Sequence, residues 1–184
     1  MPPPTSPPAT ATSTPVPPQN VCVNLFGSFN LVGVGPGSNL DGFGNGYNGA
    51  SWPSTITAGG QTCPLGAAGA PDLLVPSEQV FAVSGAYHTV TFVGAGFGGG
   101  QGGVFCVYYT VGSDQCLGRD LTDWQQTTPQ YGDGLVRIFT RSQTQTAPTA
   151  LFSVTMTLDS GRQLATIKLP VQPNMVLAAI TLTP

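Results

Sequence analysis

The chain has 184 residues, 40% of them hydrophobic and only 7% charged, with five Lys and Arg against eight Asp and Glu for a formal net charge of −3. Glycine (25) and proline (18) displace the Glu, Lys and Ala that long helices need, which argues against a helical bundle. The scarcity of cations disfavours nucleic acid as a partner, and no apolar run approaches the roughly 18 residues of a membrane span.

Residues 1–20 form a first unit. Eight of the first eighteen residues are proline and most of the others are Thr, Ser or Ala. Such a segment has too little apolar surface to offset its ordering entropy. It is expected to be an extended polyproline-II linker, spanning on the order of 55 Å at about 3.1 Å per residue. Met1 leads into Pro2-Pro3-Pro4 with neither a basic n-region nor an apolar h-region. The expectation is a chain whose export signal has been removed, or a piece of a longer protein.

Residues 21–184 read as one β domain. Short apolar stretches at 21–26, 79–83, 88–93, 104–110, 135–140, 151–158, 164–169 and 176–182 are separated by Gly, Pro, Asn and Asp, and each predicts a strand. Phe152, Val154, Met156 and Leu158 alternate with Ser153, Thr155 and Thr157, as a half-buried strand requires. Turn residues at Ser84-Gly85, Gly112-Ser113 and Asp159-Ser160-Gly161 predict reversals, the last between two strong strands. Eight or more antiparallel strands imply two packed sheets. The fold class is therefore all-β, a two-sheet antiparallel β-sandwich of jelly-roll type. The solvent faces carry Thr, Ser and Gln, and Lys168 is the one lysine, so few charges guard the strand edges and self-association is a live alternative.

Four cysteines bear on the compartment. Cys106 and Cys116 flank the turn at Gly112, where a three-residue loop would set them opposite one another, which leaves Cys22 and Cys63 as the second pair. Four cysteines allow three connectivities, and free thiols at Cys22 and Cys63 remain an alternative. There is no CxxC pair and His88 is the sole histidine, which disfavours a metal reading. An oxidising, secreted setting is expected.

Catalytic signatures are weak. Gly94-Ala95-Gly96-Phe97-Gly98-Gly99 fits G-x-G-x-x-G, but another glycine run and a strand follow it where a dinucleotide site needs a helix N-terminus. No nucleophile elbow accompanies His88, and nothing singles out a pair among the eight carboxylates for glycoside hydrolysis. The chain is expected not to be an enzyme.

The stretch Asn39-Leu40-Asp41-Gly42-Phe43-Gly44-Asn45-Gly46-Tyr47-Asn48 resembles the "DG-x-G-x-(A/G)-Y-S" segment of a domain found in secreted bacterial proteins and often attached to glycoside hydrolases. Leu65-Gly66-Ala67 with Pro71-Asp72-Leu73-Leu74-Val75 is similar to that family's "LGP…PNVV". The strand and turn at 104–112 resemble "FTVTYTDG", Leu121-Thr122-Asp123-Trp124 resembles "LSDW", and 164–182 resembles its closing "SITLP…N…VVLAITL". The resemblance covers about residues 20–184 and implies a jelly-roll, carbohydrate-binding-module-like domain. The chain departs from the pattern at Asn48-Gly49, where Ser is usual, and in its cysteines.

A sugar site needs aromatic faces beside amides and carboxylates. Tyr47, Trp52, Trp124 and Tyr131 supply candidate faces, and Asp41, Asn45, Asn48, Asp123, Gln125 and Gln126 supply candidate polar groups. Packing competes with ligand contact evenly at Trp52 and outweighs it at Trp124, while Asp41 and Asp123 could serve only as turn residues. Jelly-roll binding modules often hold a structural calcium ion, and Asp41 with nearby carbonyls is the oxygen set this chain offers one, although no ladder of the EF-hand kind is present. The expected function is a secreted, non-catalytic carbohydrate-binding module tethered near a polysaccharide or cell-surface glycan. The alternative is a subunit of an extracellular assembly that docks through the N-terminal arm or an edge strand.

Overall fold

A computed structural model describes residues 19–141 and 147–184, so the expected linker lies outside the described residues except for Gln19 and Asn20. The described residues form eleven strands in chain order: β1 (Val21–Cys22), β2 (Thr55–Ala58), β3 (Gln61–Pro64), β4 (Val80–Gly85), β5 (Thr89–Gly96), β6 (Gln101–Tyr109), β7 (Gln115–Leu121), β8 (Gly134–Thr140), β9 (Pro148–Thr157), β10 (Leu164–Lys168) and β11 (Met175–Thr183). Among the described residues the one helical element is a 3-10 turn at Gly49–Ser51.

Two antiparallel sheets form the sandwich, one in the order β1-β11-β5-β9-β8 and one in the order β4-β10-β6-β7, while β2 and β3 make a separate hairpin. The chain changes sheet at every connection from β4 onward except β6–β7 and β8–β9. The late strands β10 and β11 each insert between two early ones, which is the wrapping of a jelly roll, with β8 added at one edge. Phe92 of β5 and Phe105 of β6 meet across the layers with ring centroids 4.3 Å apart, and both are fully buried. Val90, Val154, Met156, Ile167, Ile180 and Leu182 fill the same interior.

The outer face of the five-stranded sheet explains why β5 and β11 are apolar on both sides. Near the Gly96 end, Leu31 from the connection between β1 and β2 bridges to Leu73, and the adjoining Leu74, in the connection between β3 and β4, bridges to Leu177 of β11. At the other end the pattern turns to threonine, with Thr181, Thr91 and Thr155 in one register row and Thr183, Thr89 and Thr157 in the next. The tip of the β2–β3 hairpin rests on these rows. Its two-residue Gly59-Gly60 turn has φ of 55° and 73°, which glycine adopts without strain. Thr183 Oγ1 donates to the Gly59 carbonyl at 2.8 Å, and a β-carbon at Gly59 would collide with Thr181.

Several strand expectations need correction. The stretch 21–26 forms strand only over Val21–Cys22, with the Val23 amide adding one bond to the Ile180 carbonyl, before Asn24 Oδ1 accepts the Phe26 amide and turns the chain away. Ser84-Gly85 and Asp159-Ser160-Gly161 reverse the chain, but each leads from one sheet into the other, so neither closes a hairpin. Turn residues encode a reversal and not the identity of the strand that follows as neighbour. Strands β2, β3 and β7 were not expected. β7 reads as polar in sequence because alternate residues face solvent at a sheet edge.

Both disulfides form in the expected pairing, Cys22 with Cys63 and Cys106 with Cys116. Cys106 and Cys116 are register partners across β6–β7, closed by five residues and not three. The two bonds are compatible with an extracellular setting. No helix among the described residues is long and apolar enough to cross a membrane. Replacing Cys106 and Cys116 together by Ser should lower unfolding stability by about 3 kcal/mol through chain entropy. The shift of the urea midpoint reads this out, and a shift below about 1 kcal/mol would show that the hairpin stays closed in the unfolded chain.

Candidate functional site

A cleft of about 750 Å³ opens at the Gly96 end of the sandwich. Five parts of the chain wall it: the loop at 39–46, the glycine-rich crossing from β5 to β6, the segment between β7 and β8, Arg141 just after β8, and the last turns before the start of β11.

The 39–46 loop is organised by one carboxylate. Asp41 Oδ1 accepts the amides of Phe43 (2.9 Å) and Asn45 (3.1 Å), and its Oδ2 accepts Asn45 Nδ2 (2.9 Å) and Arg141 Nη2 (2.7 Å). Gly42 and Gly44 stand at φ near 80°, which the tight path between those amides demands. Leu40 anchors the base, 2% exposed, while Phe43 at the tip is 89% exposed. Burial pushes the Asp41 carboxyl up, but the Phe43 and Asn45 amides, the Asn45 side chain and the Arg141 guanidinium outweigh it and hold its pKa below the usual carboxylate range.

The opposite wall is built around Asp123. Its Oδ2 accepts the Gly99 amide at 2.6 Å and its Oδ1 accepts the Gln125 amide at 2.8 Å. Asp133 steadies the segment from behind, accepting the Thr122 amide (2.7 Å) and hydroxyl (2.9 Å). Phe97, half-buried, lies between the two walls, and the exposed Gln125 and Asn174 side chains complete the rim.

The expected site residues divide clearly. Asp41, Asn45 and Asp123 come together in the cleft, as does Gln125. Tyr47 and Trp124 do not present ring faces. Both are fully buried, because the strand-like run at Tyr47 inserts under β8 and the turn at Trp124 folds inward. Tyr47 packs against Trp52, Trp124 and Phe139 with centroids 5.3, 5.6 and 5.3 Å away, and its hydroxyl donates to the Ala150 carbonyl. Burial, then the charge of Asp123, pushes the Tyr47 phenol well up, so it stays protonated. Trp52 is half-buried in the same cluster, and its Nε1 donates to the Gly66 carbonyl at 3.0 Å. Asn48 caps the 3-10 turn through the Ala50 amide. Tyr131, 49% exposed, covers Gly100 outside the cleft, where a β-carbon would strike its ring. Gln126 is exposed and does not line the cleft.

Asp41 does not gather a calcium site. Its oxygens are filled by a guanidinium and amides, and no group of three or more His, Cys, Asp or Glu among the described residues is arranged for a metal ion.

Phe43, Phe97, Arg141 and Asn174 were missed in the sequence reading. Phe43 stands inside the motif that drew attention, flanked by the two glycines that push it outward. Arg141 was findable only as one of five cations. It lies over Trp124, with Cζ 5.0 Å from the ring centroid, so a single side chain joins the aromatic cluster to the Asp41 loop.

The molecule at this point is a jelly-roll sandwich with an aromatic-rimmed polar cleft at one end. No protein-family model and no curated protein matches the chain.

Proposed function

We propose that the chain is a secreted, non-catalytic carbohydrate-binding module whose terminal cleft holds a glycan. The observation that carries this reading is Phe43, a phenyl ring almost wholly in water at the lip of a cleft furnished with a carboxylate and the amide side chains of Gln125 and Asn174. An exposed ring is costly in water, and a pyranose presents the apolar C–H face that would cover it while its hydroxyls meet the polar groups. The state of the carboxylates supports binding over bond-making. Asp41 is ion-paired and its pKa is held below the usual carboxylate range, and each oxygen of Asp123 already accepts a backbone amide.

Tethering fits the same geometry. Asn174 at the cleft precedes β11, while Val21, where the chain enters the domain, pairs with Leu182 near that strand's far end. Seven residues of strand separate the two, roughly 24 Å at about 3.4 Å each. The chain therefore enters the domain at the pole opposite the cleft, an arrangement that suits a partner tethered on that side while a glycan occupies the cleft.

Phe43→Ala should leave the urea midpoint within about 0.5 kcal/mol of the parent, as for other exposed positions. It should cut retention on the preferred polysaccharide by roughly tenfold or more, the loss of one stacking face. Depletion assays on cellulose, xylan, mannan and chitin measure this. Retention on none of them, together with filaments under the electron microscope, would instead support the assembly reading. That second reading draws on Val80, Val104 and Val171, which are 58%, 57% and 67% exposed on and beside the four-stranded sheet.

A further inference from the structure

The charge of the cleft is unevenly satisfied, and that asymmetry bears on which glycan it takes, granted the glycan-binding reading above. Asp41 is closed, with two donors on each oxygen. Its partner Arg141 is equally committed, with Nη2 on that carboxylate and the guanidinium over the Trp124 ring. The two form a neutral pair turned into the wall, each about one-tenth exposed.

Asp123 differs. Each of its oxygens holds one backbone amide, and the salt bridges among the described residues join Arg141 to Asp41 and Lys168 to Glu78, so no cation neutralises it. A carboxylate offers about four acceptor positions, two per oxygen. Two remain, one on each oxygen, in an orientation that the Gly99 and Gln125 amides fix. Two acceptors side by side on one rigid carboxylate match two neighbouring hydroxyl donors of a sugar ring. The same carboxylate repels any group of its own sign, and the neutral Gln125 and Asn174 side chains do nothing to offset it.

We infer that Asp123 is the specificity-determining residue of the cleft, accepting a pair of adjacent hydroxyls from uncharged polysaccharides and turning away those that carry carboxylates. At the distances of such a cleft, in a largely aqueous setting, one like charge weakens binding by roughly three- to tenfold, and salt reduces the effect.

Calorimetric titration of the whole chain tests this with neutral hexamers (cellohexaose, xylohexaose, mannohexaose and chitohexaose) and with hexagalacturonate, at about 20 mM and about 150 mM salt. The expected result is binding of at least one neutral hexamer and three- to tenfold weaker binding of hexagalacturonate, the gap narrowing at the higher salt. Asp123→Asn should weaken the neutral hexamer. Because that change also disturbs the Gly99 amide, the exposed Gln125 supplies an independent arm: Gln125→Lys should close the gap and Gln125→Glu should widen it. Hexagalacturonate binding as tightly as the neutral hexamers, or a gap indifferent to both Gln125 variants, overturns the selectivity while leaving glycan binding intact. Binding of no hexamer overturns both.

Discussion

Arg141→Ala should destabilise the domain by about 3–5 kcal/mol and, on the proposed function, weaken retention on polysaccharide, although Arg141 need touch no sugar. The size follows from burial. An exposed Arg–Asp pair is worth about 0–1 kcal/mol, because water screens it and two mobile side chains must be held. Here the two side chains are 11% and 10% exposed, the pair is 2.7 Å long, and the guanidinium covers the fully buried Trp124. Removing the cation strands a desolvated carboxylate at the centre of the 39–46 loop and uncovers the indole. The loop keeps the Asp41 bonds to the Phe43 and Asn45 amides but loses its tie to the chain after β8, so Phe43 is held less firmly at the lip. Arg141→Lys keeps the charge but not the planar group that both pairs and stacks, so it should recover less than half of the loss. Urea unfolding with intact disulfides measures the stability, and depletion assays measure the binding. An Arg141→Ala midpoint within about 1 kcal/mol of the parent would place the pair among surface bridges and separate the cleft's shape from its stability.

The sandwich was legible because its strands announce themselves by alternation. Phe152 to Leu158 could only be a half-buried strand, and the structure makes it β9. What alternation cannot carry is topology. The turn at Asp159-Ser160-Gly161 was visible, yet whether Leu164 pairs with β9 or crosses to the other sheet depends on contacts distant in sequence, with β4 and β6. The site was half legible for a related reason. Polar residues that organise their own neighbourhood, such as Asp41 with Asn45 four residues on, leave a local trace. Arg141 reaches Asp41 across a hundred residues and leaves none. The aromatic assignments inverted because Trp and Tyr suggest stacking by composition alone, while burial decides their role. Tyr47 and Trp124 anchor β8 and β9 from inside, and the plainer Phe43 is the ring left in water.

Asp72 should make the domain less stable as pH rises from about 4 to about 7, by a total on the order of 4 kcal/mol. The residue is fully buried. Its carboxylate accepts the Gly33 amide at 2.8 Å on Oδ1, while Oδ2 has no hydrogen-bond partner. Burial pushes its pKa to about 7, only partly opposed by the amides of Gly33, Val34 and Asp72 itself. In the unfolded chain it titrates near 3.9. Below that value both states are protonated and the folded state bears no penalty. Between the two values the unfolded chain releases a proton that the folded chain keeps, so stability falls by about 1.4 kcal/mol per pH unit and levels off above pH 7. Asp41 works in the opposite sense, since its lowered pKa contributes stability above about 3.8 that is lost as pH falls further. Between them these two carboxylates favour the acidic side, near pH 4. Asp72→Asn keeps an acceptor for the Gly33 amide and removes the titration. Urea midpoints at pH 4.5 and 7.5 should therefore differ strongly in the parent and little in the variant. Equal pH slopes in the two proteins would mean that Asp72 is ionised inside the fold and held by more than the amides around Oδ1.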